Sequence, residues 1–107
     1  MISFEEFKKM ELRVGTIRSV EEHPNANKLY ILKVDLGNEE RQLVAGLKEN
    51  YQPEELEGKQ IIVITNLEPA KLRGVESQGM LLAAEDEEGK VAILTVDKEL
   101  SNGSMVH

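Results

Sequence analysis

Residues 12–20 read LRVGTIRSV. Leu12, Val14, Ile17 and Val20 are the apolar positions of one long strand, yet the two-residue alternation slips near Gly15. A slip beside a glycine is how a strong bend or bulge shows itself in sequence. Outward from this strand the same signal recurs in shorter form. A loop at 23–28, HPNANK, leads into a strand over 29–36 with Tyr30, Leu32, Val34 and Leu36 in one phase. Gly37 and Asn38 turn the chain into a third strand at 41–45, so the two strands are expected to form a hairpin. A connector over 46–58 holds one helical turn at 53–56, with Pro53 suited to its first position. Strands follow at 59–66, 80–84 and 91–96; residues 67–78, with Pro69, Gly74 and no periodicity, read as a long loop. Upstream, Ser3 and Glu6 have the spacing of a capping box and open a short helix with Phe4 and Phe7 on one face.

Five or more strands, mostly short but the first long and bent, with a helical turn between the third and fourth, predict an all-β fold. The specific expectation is a five-stranded Greek-key barrel of the OB type, with a short N-terminal helix and a C-terminal strand extension. No stretch beyond residues 3–10 sustains a 3.6-residue period, which excludes a helical bundle. At 107 residues and 12.0 kDa the chain is expected to be one domain, 1–107.

The formal charge is −7, from 20 acids and 13 bases, which taken alone argues against nucleic acid. The charge is unevenly spread. Residues 59–80 hold three bases against two acids, while the segments on either side each carry a net −4. There is no cysteine, so disulfides, zinc–thiolate sites and thiol nucleophiles are excluded. No apolar run approaches the ~18 residues of a membrane span, and the N-terminus lacks signal-peptide character; a cytoplasmic protein is expected.

Catalysis finds no footing. His23 and His107 form no metal-spaced pair, Ser77 has no evident base, and Glu85 to Glu88 are consecutive around a turn. His23, before Pro24, reads as a turn histidine. No enzyme, metal or cofactor is expected. The two irregular segments, by contrast, lie where an OB barrel builds its oligonucleotide site. The first offers Asn25, Asn27 and Lys28; the second offers Asn66, Lys71, Arg73, Ser77 and Gln78. Lys and Arg meet phosphates, while Asn, Gln and Ser read base edges or 2′-hydroxyls. The same residue types also cap ordinary loops, and composition does not separate the two roles. Tyr30 is placed either to stack a base or to pack in the barrel. With two Phe, two Tyr and no Trp, a folded RNA is a better ligand than a single-stranded run.

The strings LRVGTI, HPNANKLYILKVDLG, YQPEELEGK and NLEPAKLRGVESQGMLLA, in this order and spacing, resemble the OB-fold tRNA-binding domain. That domain occurs at the C-terminus of many methionyl-tRNA synthetases and as a stand-alone structure-specific tRNA-binding protein. The resemblance covers nearly the whole chain and implies a non-catalytic module that binds tRNA by shape. It also implies a homodimer built through segments outside the barrel, here 1–10 with Phe4 and Phe7, and 91–107. Its binding motif falls on Asn25, Lys28, Lys71, Arg73, Ser77, Gln78 and Met80. Lys33 and Arg41, on the face of the second and third strands, are weaker additions. The partners implied are tRNA, a second copy and a methionyl-tRNA synthetase catalytic domain. Asn27 stands where the family commonly has an acid, which removes a negative charge from the loop. Ala45 stands where a serine is common, which removes a hydroxyl. The alternative within the same barrel family is a peptide-binding, chaperone-like dimer.

Overall fold

The computed structural model describes residues 1–107. In chain order the elements are α1 (Phe4–Phe7), β1 (Leu12–Glu22), β2 (Tyr30–Asp35), β3 (Glu40–Ala45), α2 (Pro53–Leu56) and β4 (Gln60–Ile64). Then come β5 (Ala70–Leu72), β6 (Val75–Ser77), β7 (Met80–Leu81), β8 (Ala83–Glu85), β9 (Val91–Ile93) and β10 (Met105–Val106). The sheet order β3-β2-β1-β4-β7 makes a nearly closed five-stranded barrel, with β10 added beside the start of β1.

β1 serves two neighbours in succession. Leu12 to Thr16 pair with β4, and Thr16 to Glu22 pair with β2, all antiparallel. The first half is buried on both faces. Leu12 and Val14 pack with Ile62 and Ile64 in a small cluster outside the barrel, whereas Ile17 enters the barrel core with Leu32, Leu43 and Ile61. The change of phase between Val14 and Ile17 therefore reflects burial on two sides, and the ladder with β4 runs unbroken past Gly15. The irregularity lies further on, where the register with β2 shifts between Ile17 and Ser19. The extra residue returns Val20 to the core side, where it packs partly buried. Gly15 has a different cause. A Cβ there would lie 2.7 Å from Val34 Cγ1 and 2.8 Å from Leu36 Cδ2, so only glycine lets β1 lie so close to β2.

The hairpin of β2 and β3 forms in register from Tyr30↔Ala45 to Asp35↔Glu40. α2 begins at Pro53, with the Glu55 carboxylate accepting the Gln52 N–H at 2.7 Å, and its Leu56 is fully buried at the end of the core. Two expectations need correction. Residues 67–78 are not a structureless loop, because β5 and β6 form a hairpin across them. The expected fifth strand at 80–84 is broken: Met80 and Leu81 stay with β4, while Ala83 to Glu85 turn away to pair with β9.

The barrel closes between β3 and the β6–β7 segment through a seam built largely from side chains. The Gln78 N–H donates to the Gln42 carbonyl at 2.8 Å, and the Gln78 Oε1 accepts the Gln42 N–H at 3.0 Å. The Ser77 hydroxyl accepts the Val44 N–H at 3.0 Å and donates to the Gly79 carbonyl at 2.8 Å. The Thr16 hydroxyl and the Gln60 amide both donate to Asn102 Oδ1, and Gln60 also donates to the Leu100 carbonyl, which straps the C-terminal segment to the barrel wall. No helix is long and apolar enough to cross a membrane.

Candidate nucleic-acid interface

Two pieces of chain meet at one end of the barrel: the loop 23–29 between β1 and β2, and the tip of the β5–β6 hairpin. The tip is a two-residue turn. Arg73 and Gly74 have φ of 52° and 88°, the pair of positive values that a type I′ turn demands. Arg73 is the one residue other than glycine with a positive φ, so its place at the tip costs about 1 kcal/mol of backbone strain.

His23 joins the two pieces. Its ring is buried at 5% exposure. Its Nδ1 accepts the Asn25 N–H at 3.0 Å, so the proton sits on Nε2, which donates to the Leu72 carbonyl at 2.8 Å. The turn histidine of the sequence reading is thus a bridge. The signal available was its place two residues before Asn25, which permits a side-chain-to-backbone turn; its distant partner left no trace in the sequence.

Between loop and tip lies a cleft of about 350 Å³ lined by Ala26, Asn27, Lys28, Leu29 and Arg73. Lys28 and Arg73, expected from separate loops, thus share one cleft. Asn25 and Asn27 are exposed beside it, and Lys71 is exposed one strand position before the tip, opposite Glu76. None of Lys28, Lys71 and Arg73 lies within ion-pair distance of a carboxylate; the four ion pairs of the chain use Arg13, Arg18, Arg41 and Lys48.

The other expected residues divide. Lys33 and Gln42 lie together on the β2–β3 face, the ammonium donating to Gln42 Oε1 at 2.8 Å; Gln42, which the sequence reading passed over, also donates to the Glu76 carbonyl at 2.8 Å. Arg41 is held within the fold by the Thr65 and Gln78 carbonyls and by Glu39. That guanidinium keeps the Glu39 carboxyl below the usual carboxylate range. Asn66 accepts the Glu11 N–H at 2.9 Å and donates to the Lys9 carbonyl at 2.7 Å, tying down the start of the chain. Ser77 is buried in the seam, and Gln78 sits exposed beside it. Tyr30 packs in the core at 3% exposure with its hydroxyl on the Tyr51 carbonyl, which removes it as a stacking surface. Met80 is 49% exposed and edges a separate apolar groove of about 480 Å³ with Leu67, Leu72 and Val91.

Residues 12–105 match the tRNA binding domain family. The chain is 62% identical over 105 residues to methionine–tRNA ligase of Thermococcus kodakarensis, covering 98% of this chain and 14% of the ligase. It thus spans about a seventh of the length of the curated relatives it matches. The MetRS related protein of Pyrococcus horikoshii has the same fold at TM-score 0.94 and 45% identity, over 100% of this chain and 98% of that one. Chaperone CsaA of Bacillus anthracis superposes at TM-score 0.90 and 33% identity, over 100% and 99%. The family matched is a binding domain and not a catalytic one.

Proposed function

The chain belongs to the tRNA-binding domain family, and on that premise we propose that it is a dimeric module that holds tRNA by its shape. The observation that carries this reading is the cleft where Lys28 and Arg73 converge with no carboxylate of their own chain to neutralise them. Cations in that state gain contacts with phosphate without giving up an internal ion pair, and the release of counterions drives binding. Lys71 extends the basic stripe along the hairpin. Asn25 and Asn27 supply neutral groups for sugars and base edges. Arg41, Ser77 and Gln78 lie behind this surface, where their bonds to the barrel fix the hairpin that presents it, while Lys33 stands beside Gln42 on the β2–β3 face and Asn66 ties down the start of the chain. Holding tRNA this way raises its effective concentration at a catalytic domain. The likeness to methionine–tRNA ligases supports a methionyl-tRNA synthetase as the catalytic domain served, with the chain as an appended domain, a beta subunit or a free-standing cytoplasmic protein.

Filter retention of unfractionated tRNA by the chain tests the reading. Retention by the wild type at low salt, and its loss in the Lys71→Ala/Arg73→Ala variant with the oligomer unchanged, supports it. No retention by the wild type at micromolar protein overturns it, and full retention by the variant moves the site elsewhere. The dimer rests on an uncovered apolar end. Phe7 and Val106 both pack on the outer cluster, while Phe4 and Met105 beside them are 69% and 54% exposed. Sedimentation equilibrium is expected to give twice the 12.0 kDa chain mass for the wild type and one chain for Phe4→Glu. A dimer unaltered by that change removes α1 from the interface.

A second reading has its own observation. The apolar groove beside Met80, together with the likeness to CsaA, suits a peptide-holding chaperone. Suppression of aggregation of an unfolded protein by a chain that retains no tRNA is the result that favours it.

A further inference from the structure

We infer that His23 is a positioning residue for RNA binding: its imidazole holds the first loop and the hairpin tip at a fixed separation, so that Lys28 and Arg73 grip a single backbone phosphate between them. The inference rests on the tRNA-binding reading and goes beyond it in naming the shared phosphate and the residue that shapes its site.

The geometry is specific. The two bonds of His23 leave on opposite sides of its ring, one to each piece of chain. The His23–Leu72 contact is the only hydrogen bond joining residues 23–29 to residues 70–77. The Leu72 carbonyl belongs to the peptide that enters Arg73, so this bond fixes the plane from which the strained Arg73 backbone departs. On the other side, the bond to the Asn25 N–H sets the turn that presents Asn27 and Lys28. Both ring nitrogens are consumed, and the ring is buried, so His23 itself is not offered to RNA. What it delivers is spacing. Two cations lining one open cleft of about 350 Å³ present a paired binding site for one phosphate group. Without the bridge the hairpin remains tied to β3 through Gln42 and Ser77, but its tip is free to swing away from the loop.

Two measurements test this on the full chain with unfractionated tRNA. The first compares His23 variants. Asn keeps an oxygen that accepts the Asn25 N–H but falls short of Leu72, whereas Gln reaches Leu72 with an amide donor. Loss of the bridge is expected to weaken binding about tenfold in His23→Asn, with recovery to within about threefold in His23→Gln. Wild-type affinity in His23→Asn overturns the inference. The second leaves His23 untouched and so survives any folding defect in those variants. If Lys28 and Arg73 share one phosphate, the Lys28→Ala/Arg73→Ala double variant loses only one phosphate from the salt slope, about 0.7–0.9. A loss of about twice that shows two separate phosphates and overturns the shared grip. Failure of the wild type to retain tRNA is a distinct result, since it removes the tRNA reading before either comparison is made.

Discussion

Ser77 shows how a residue type that suits RNA recognition can be taken up by the fold. Its hydroxyl is buried, accepts the Val44 N–H and donates to the Gly79 carbonyl, so it serves the barrel seam with both capacities. Ser77→Ala strands the Val44 N–H away from water and is expected to cost about 1–3 kcal/mol, read as a lower thermal midpoint. Affinity measured well below that midpoint should change little; a large loss of tRNA affinity in a fully folded Ser77→Ala variant would show the hydroxyl reaching RNA. A sequence cannot separate these uses, because a serine that bonds backbone and one that bonds ribose offer the same atoms. Lys28, Lys71 and Arg73 were legible because they stand in the two irregular segments that an OB barrel turns toward its ligand, and none of them is in an ion pair of the fold. At the surface, Asp35 is held below its ordinary value of 3.8, first by the Arg18 guanidinium and then by the Gly37 N–H. A lowered carboxyl stabilises the fold above its unfolded value and loses that contribution as pH falls through the lower folded value. In urea titrations the gap between wild type and Asp35→Asn should therefore be widest above about pH 5 and shrink below 3.8. Because the pair is exposed, the gap should also narrow in high salt. A gap that widens on acidification has the wrong sign for this ion pair.

At the scale of elements, β1 was legible and its irregularity was not. The apolar positions of 12–20 announced a strand, but one string of letters cannot tell a bulge from a strand buried first on both faces and then on one. The two look alike because Leu12 and Val14 serve the outer cluster while Ile17 serves the barrel. Gly15 marks the crossing of β1 over β2 and not the bulge, and this gives a prediction for the element. Gly15→Ala places a methyl 2.7 Å from Val34 and 2.8 Å from Leu36, both core side chains that cannot retreat. Overpacking of this kind costs about 1–3 kcal/mol, measurable by urea unfolding. An unchanged midpoint would mean that β1 and β2 separate more easily than their register implies. The β5–β6 hairpin was invisible for a different reason. Its strands are three residues each and mostly exposed, so burial imposes no alternation on them. Its turn is Arg-Gly, where a type I′ turn usually announces itself with Asn-Gly. What holds it is distant: Gln42, Ser77 and His23, each bonded across 33 residues or more of sequence.

Over the whole molecule, a chain of charge −7 that binds RNA must do so locally. Four of its bases are spent on its own carboxylates, and the distribution of the rest is what matters. Around the cleft stand Lys28, Lys71 and Arg73, with Lys33 behind them bonded to a neutral amide. If Lys28 and Arg73 share a phosphate, these four cations neutralise about three phosphates per chain, and the slope of log K against log salt should be about −2 to −3. The acidic remainder acts in the opposite direction. Glu85 at the end of β8 and Asp86 to Glu88 on the turn that follows are exposed and repel any polyanion that approaches elsewhere. Binding of plain duplex RNA should accordingly be weak, because a rod of uniform charge meets as much repulsion as attraction. A folded tRNA that fits the cleft avoids the acidic faces. The measurement is a pair of salt titrations, one with tRNA and one with a duplex of equal length. A slope steeper than about −5 for tRNA would require bases outside the cleft, and equal affinity for the duplex would show that charge alone, without shape, selects the ligand.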